Sequence, residues 1–278
     1  MSYLGTTQTL FVKEVSNEGA YLDGHDLGEV FLPKNEIRDE LEAGDSISVF
    51  IYLDNANLPT ATVKKPHAQV GEYALLRVKE INSIGAFLDW GLEKDVLAPF
   101  NEQKPRMQEG HSYLVRLYLD NASQRICAST NFNRFLSKDE PEYTRLQEVD
   151  LIVAGKTDIG YKVLIEESHF GVVFYNMVFK NLFVGQKLKG FVKKVREDGK
   201  IDVVLEKPGM GKVSELGDKI MEKLKNEGGI LAIGDKSDPE LIKKVFSTSK
   251  ANYKKAIGGL FKQELIEIEA KSIRLKSK

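Results

Sequence analysis

Aromatic and cationic side chains are interleaved through residues 160–200 in a pattern that suits a binding site for single-stranded nucleic acid. Tyr161 and Lys162 follow a glycine, and His169, Phe174 and Tyr175 come next. The cations that complete the set are Lys193, Lys194, Arg196 and Lys200. Rings stack on unpaired bases while cations contact phosphates, so such a site needs both. This segment is therefore predicted to bind single-stranded RNA.

Catalytic chemistry has little support in the sequence. The four histidines are scattered and lack the spacing of metal ligands. Cys127 falls in an alternating strand pattern, where a small buried side chain is expected, and no Gly-x-Ser-x-Gly motif is present. The doublets Asp54-Asn55 and Asp120-Asn121 are typical of turns. The sequence therefore predicts a protein without catalytic residues, metal or cofactor.

This predicted RNA-binding segment lies in the last of three internal repeats. At an offset of 66 residues, the stretch 19–23 (Gly-Ala-Tyr-Leu-Asp) returns as 85–89 (Gly-Ala-Phe-Leu-Asp), and Gly44 returns as Gly110. A more divergent third copy follows at an offset of 75, at which Gly85 maps to Gly160. Each unit of about 65 residues is long enough to form a small domain. A tandem array is therefore expected in place of one large catalytic domain.

Each repeat predicts five short antiparallel strands. In the first copy they cover residues 9–15, 20–23, 30–32, 45–53 and 60–63. In the fourth strand Ile47, Val49, Ile51 and Leu53 share one face, and Phe50 and Tyr52 lie on the other. Five strands in this length are typical of an OB-fold, a partly open Greek-key barrel whose face and loops commonly bind oligonucleotides.

The repeated unit resembles the ribosomal S1-type RNA-binding OB domain. The second copy carries the family pattern most completely, with residues 84–89, 95–99 and 110, then Asp120 and Arg125. The resemblance implies RNA contacts by aromatic residues flanking the Gly-Ala pair, a third-strand histidine, and a late aspartate and basic residue. Pro33 and Pro99 replace that histidine in the first two copies.

The three copies differ in how many of these contact residues they retain. The first keeps only Tyr21 and Asp54, and residues 1–65 carry 5 Lys/Arg against 11 Asp/Glu, so it is interpreted as a spacer or protein-contact module. The second keeps Phe87 and Arg125 and adds the only tryptophan, Trp90; for its rings, RNA contact and packing across the barrel are both open. The third, with Lys200 at the late basic position, is the best binding candidate.

The hydrophobic period becomes helical after a linker at residues 208–212. A first helix is predicted from apolar residues at helical spacing, which are Val213, Leu216, Ile220, Met221 and Leu224. Asp238-Pro239 is predicted to begin a second helix, and Ser249 to cap a third. A hairpin over residues 265–268 and 272–275 then completes a winged helix. Its predicted nucleic-acid contacts are Lys250, Asn252, Lys254, Lys255 and Lys262 on the third helix and Arg274 and Lys276 on the wing. A protein contact is the alternative, and Gly258-Gly259 either allow close packing or end the third helix early.

Domain order and the stretch 249–260 resemble the conserved virulence factor B (YitL-like) family of bacterial proteins. The resemblance implies RNA binding and an effect on gene expression. The predicted architecture is mainly β, with OB domains at 1–65, 66–142 and 143–207 and a winged helix at 213–278. A net charge rising from −6 over residues 1–65 to +5 over residues 212–278 predicts that a polyanion binds near the C-terminal end.

Two functions remain open at this level. The first is a post-transcriptional regulator that binds single-stranded RNA, with a possible protein partner at the acidic first domain. The second is a scaffold whose OB and winged-helix units bind partner proteins. The sequence favours a location in the cytoplasm, because it has one cysteine, no apolar run near the roughly 20 residues of a membrane span and no signal-peptide pattern. Neither a membrane nor a small-molecule substrate is expected as a partner.

Overall fold

Three consecutive stretches of the chain each close into a five-stranded barrel, and a helical region follows them. The structure is a computed structural model that describes residues 3–37, 40–178, 181–206 and 215–276. The linker predicted at 208–212 and Val213 lie outside the described residues. Backbone contacts divide the chain into two compact units: residues 1–138 with 152–154 and 183–186, and residues 139–151, 155–182 and 187–278.

The first barrel has the five strands that the sequence predicts. They are β1 (Thr7–Val15), β2 (Gly19–Asp23), β3 (Glu29–Pro33), β4 (Ser46–Leu53) and β5 (Pro59–Thr62). Their order around the barrel is β1-β2-β3-β5-β4. β3 and β5 run parallel, whereas the other neighbouring strands of this barrel pair antiparallel.

The second and third barrels repeat this order, which confirms three tandem barrels. The second contains β6 (Tyr73–Ile81), β7 (Gly85–Asp89), β8 (Val96–Pro99), β9 (Ser112–Leu119) and β10 (Ile126–Ser129). The third contains β11 (Glu148–Lys156), β12 (Gly160–Ile165), β13 (His169–Phe174), β14 (Lys187–Val195) and β15 (Ile201–Val204). Each barrel lies inside its predicted domain range, and the domain boundaries themselves stay a prediction.

A glycine begins the second strand of every barrel because the neighbouring strand leaves no room for a side chain. A Cβ atom at Gly19, Gly85 or Gly160 would collide with a backbone carbonyl oxygen of the third strand, that of Leu32, Ala98 or Val173 respectively. The glycine of the repeated motif therefore has a steric cause in each copy.

The first two barrels share part of one hydrophobic core. Phe50 lies on the β4 face opposite Ile51, yet only 1% of it is exposed, and it packs among buried residues of the second barrel. Its ring meets that of Trp90 edge-on, with the centroids 5.5 Å apart. Trp90 is itself 3% exposed, and its indole nitrogen donates to the Lys94 carbonyl oxygen at 2.5 Å. The prediction that Trp90 contacts RNA is therefore wrong, because its ring is enclosed by the core.

The C-terminal region has the helices and hairpin of a winged helix. Its elements are α1 (Glu215–Asn226), β16 (Ile230–Leu231), α2 (Pro239–Phe246), α3 (Lys250–Lys262), β17 (Ile266–Ile268) and β18 (Ile273–Leu275). Asp238 caps α2 by accepting from the Glu240 amide, and Ser249 caps α3 by accepting from the Asn252 amide, as predicted. β16 was not predicted, since two residues are too short for a periodic signal; it pairs with β18, which also pairs with β17.

The third helix continues through Gly258 and Gly259, so the alternative that it ends early is wrong. A Cβ atom at Gly258 would have no neighbour within 4 Å, and close packing does not explain that glycine. The helix is held by Tyr253, Ile257 and Leu260, which are buried in the core of this region. Among the described helices, none is long and apolar enough to cross a membrane.

Candidate nucleic-acid interface

The three barrels present equivalent rows of side chains across their second, third, fifth and fourth strands. In the first barrel the strand pairing joins Tyr21, Phe31, Thr60 and Tyr52. In the second it joins Phe87, Leu97, Cys127 and Tyr118. In the third it joins Lys162, Val172, Asp202 and Lys194. The third barrel thus has charged side chains where the first two have rings.

Two cation–ring pairs flank the charged row of the third barrel. The Lys162 ammonium lies 3.5 Å from the centroid of the Phe170 ring, and the Arg196 guanidinium lies 5.8 Å from that of Phe174. Arg196 also pairs with Asp202 at 2.7 Å. Phe170, Val172 and Phe174 are half-buried and alternate with buried Gly171 and Val173, so the two rings share the outer face of β13. We call Lys162, Phe170, Phe174, Lys194 and Arg196 the third-barrel face.

The electrostatics of this face leave cations available for an anion. Burial lowers the pKa of Lys162, because its ammonium lies against Phe170 and has lost water. Lys193 and Lys194 are exposed, with no ion pair to another described residue. Lys200 lies in the β14–β15 turn, where it pairs with Asp198 at 2.8 Å. Phe170 and Asp202 were not among the predicted site residues; the alternation along β13 is the signal that could have found Phe170.

Three aromatic residues predicted for this site are engaged elsewhere. Tyr161 is 4% exposed and its hydroxyl accepts from the Leu182 amide, so its prediction as a stacking ring is wrong. His169 has both ring nitrogens within hydrogen-bonding distance of local oxygens, those of the Tyr143 hydroxyl and the Asp139 carbonyl. Tyr175 is 41% exposed, but its hydroxyl donates to the Thr157 carbonyl oxygen. Of these rings, Tyr175 offers an open surface to a ligand.

The predicted cations of the winged helix are largely bound within the protein. Lys250 donates to the Ser237 carbonyl oxygen, and Lys262 donates to the Asn176 carbonyl oxygen at 2.6 Å. The ion pairs of the remainder are Lys254–Asp235 at 2.7 Å, Arg274–Glu269 at 2.7 Å and Lys276–Glu264 at 4.0 Å. Asn252 and Lys255 are exposed. A cation that is already paired releases less free energy on meeting a phosphate, which leaves Lys255 as the clearest contact of this set.

In the second barrel, half-buried Phe87 and exposed Arg125 line one cavity. Cys127 also lines it but is 4% exposed, and burial raises the pKa of its thiol to about 11. A thiol with that pKa stays protonated at neutral pH and is a poor nucleophile. Among the described residues, no group of three or more His, Cys, Asp and Glu side chains could hold a metal ion.

Comparison with known proteins identifies the first two barrels and the winged helix. A sequence model of the S1 domain matches residues 4–64 and 70–131, and a model of the CvfB-like winged helix domain matches residues 218–275. Conserved virulence factor B of Staphylococcus haemolyticus is 28% identical over 96% of this chain and 93% of its own length. YitL of Bacillus subtilis is 27% identical over 93% and 89% respectively. A solved multidomain protein with nucleic acid binding domains from Streptococcus pneumoniae is 24% identical over 99% of both chains, with a TM-score of 0.42.

The chain combines two S1 domains, a third barrel with the same strand order and a winged helix. These domains define a multidomain protein with a general role in nucleic-acid binding. The matched domains are not those of known enzymes. Over most of its length the chain is similar to conserved virulence factor B and YitL, and its winged helix matches the CvfB-like model.

Proposed function

We propose that this chain is a non-catalytic RNA-binding protein that holds single-stranded RNA on the third-barrel face. The observation that carries the proposal is the pairing of Lys162 with Phe170 and of Arg196 with Phe174 on one outer surface. Each pair keeps a cation beside a ring on which a base would stack, and because Arg196 already pairs with Asp202, the phosphates would be met by exposed Lys193 and Lys194. Lys193 and Lys194 extend the positive charge along β14.

Single strands fit this surface better than duplexes do. Half-buried rings on a barrel surface can stack only on bases whose faces are free, and a duplex covers those faces with neighbouring base pairs. The choice of RNA over DNA rests on the S1 resemblance. In the cell, such binding is proposed to regulate gene expression after transcription, in the cytoplasm, with Lys255 of the winged helix adding a phosphate contact.

Fluorescence anisotropy of the full chain with labelled single-stranded RNA, matched DNA and duplex, over a range of salt concentrations, tests this function. The double variant Lys193→Gln/Lys194→Gln should bind RNA more weakly. The slope of log K against log salt should flatten by up to about 1.4, since each lost phosphate contact of a single strand contributes about 0.7.

The matched control is Lys34→Gln/Lys65→Gln, which removes two exposed lysines of the first barrel region. It should leave both the affinity and the slope near those of the parent. An unchanged slope in the β14 variant, or an equal change in the control, would place the RNA elsewhere on the chain.

The scaffold function is the second candidate, and the winged helix carries the observation that favours it. Most of its predicted cations are paired, while Phe261 of α3 and Leu241 of α2 are 53% and 40% exposed. Exposed apolar side chains suit a protein contact better than a phosphate contact. If deleting the winged helix removes a partner protein from a pull-down while RNA affinity stays constant, this domain is a protein-binding module.

A further inference from the structure

A groove lies between the first two barrels. One side is the end of β4, with Tyr52 and Leu53, and Asp54 of the turn that follows it. The other side is the outer face of the second barrel around Phe87. The groove has an outer cavity of about 490 Å³ and an inner one of about 150 Å³. The two cavities share Tyr52, Phe87, Lys94 and Asp95, so they form one continuous recess with aromatic walls.

The cation at the centre of this groove, Lys94, is already hydrogen-bonded within the protein. The Lys94 ammonium donates to the carbonyl oxygens of Leu53 at 3.1 Å and Asp54 at 2.6 Å, and it thereby ties the two barrels together. Burial, and then the charge of Arg125, lower its pKa. Asp95 in turn pairs with Lys79 at 2.8 Å. Neither Lys94 nor Asp95 is therefore a free charge for a ligand.

Two carboxylates of the outer cavity have no such partner. Glu80 lies beside Phe87 in the pairing of β6 with β7, and Glu93 lies in the loop between β7 and β8. Both are exposed and neither forms an ion pair with another described residue. The pKa of Tyr52 is raised, first by burial and then by the charges of Glu36 and Glu93. The outer groove thus combines two rings with two carboxylates that form no ion pair with another described residue.

The second barrel shows what its own copy of this tyrosine binds. At the repeat offset of 66 residues, Tyr52 corresponds to Tyr118 and Glu36 to Glu102. The Arg134 guanidinium lies 4.7 Å from the centroid of the Tyr118 ring and pairs with Glu102. Arg134 comes from the chain that follows the second barrel. In the first barrel Glu36 pairs with Lys64, but no cation of a described residue lies over the Tyr52 ring.

We propose that the groove receives an arginine side chain of a partner protein, in the way that Tyr118 receives Arg134. The guanidinium would stack between Tyr52 and Phe87, and its N–H groups would donate to Glu80 and Glu93. Planar guanidinium suits both contacts, whereas an RNA phosphate would meet two unpaired carboxylates and be repelled. This site is separate from the third-barrel face, so either proposal can fail without the other.

The test uses the full chain and short fluorescein-labelled Gly/Ser peptides that differ only in carrying arginine or glutamine. The arginine peptide should bind more tightly. Glu80→Gln/Glu93→Gln should weaken it by roughly tenfold, because both charge-assisted contacts are lost. Tyr52→Leu should weaken it also. The thermal midpoint of each variant checks that the protein remains folded.

Glu14→Gln/Glu18→Gln is the matched control, since it removes two exposed carboxylates of the first barrel that do not line the groove. It should retain the parent affinity. Equal binding of the two peptides would overturn the proposal, as would an equal loss in the control. If the arginine peptide shows no preference and Glu80→Gln/Glu93→Gln gains affinity for single-stranded RNA, the groove is a nucleic-acid site and the proposal is wrong.

Discussion

Phe50 provides a direct test of the shared core of the first two barrels. Strand alternation places it on the β4 face away from Ile51, where an OB domain standing alone would expose it to water. In the structure 1% of it is exposed, and its ring packs edge-on against Trp90 of the next barrel. Phe50→Ala should therefore behave as a core truncation and affect both barrels.

The expected size of the effect follows from that burial. Truncating a fully buried phenylalanine to alanine costs about 3–5 kcal/mol, through lost transfer free energy and the cavity left behind. An exposed phenylalanine costs about 0.5 kcal/mol or less. With a urea m-value of about 2 kcal/mol per M, the larger cost would lower the unfolding midpoint by about 2 M.

Urea unfolding followed by tryptophan fluorescence is the assay, because Trp90 is the only tryptophan and touches the mutated site. Phe11→Ala is the matched control, since Phe11 belongs to the same barrel but is 60% exposed. The Trp90 transition should shift in Phe50→Ala and stay in place in Phe11→Ala. A shift below about 0.5 M in Phe50→Ala would refute the shared core, because an exposed ring predicts that result.

Two further predictions concern single residues. Gly258→Ala should raise the free energy of unfolding by about 1 kcal/mol, because the helix gains propensity and the new methyl group has open space; Gly85→Ala should lower it by about 1–3 kcal/mol, since its methyl group meets the Ala98 carbonyl oxygen. Denaturant unfolding by circular dichroism checks both, and a loss of stability in Gly258→Ala would show that the helix is strained there. Cys127 should react slowly with a thiol reagent at pH 8 and rapidly after unfolding, because its pKa of about 11 keeps the buried thiol protonated. The pKa is raised on folding, so stability should fall as pH rises from about 8.5 towards 11; fast reaction of the folded chain at pH 8 would contradict the burial.

Sequence patterns determined the architecture because it depends on local and repeated signals. Three barrels and a winged helix were predicted from the recurring Gly-Ala motif, the alternation in each strand and the caps at Asp238 and Ser249. These features rest on backbone sterics and capping hydrogen bonds, which a short stretch of residues encodes. The missing element, β16, is held by its pairing with β18, a partner more than forty residues away.

Only the tertiary structure decided which of the predicted site residues can meet a ligand. Trp90 and Tyr161 have the same side-chain chemistry as a stacking ring, but each is enclosed by neighbours that lie far along the chain. Lys254 and Arg274 are cations in the sequence, and the fold pairs them with Asp235 and Glu269. Burial and pairing depend on which residues the folded chain brings together. Composition and spacing therefore determined the kind of site, and three-dimensional packing selected its residues.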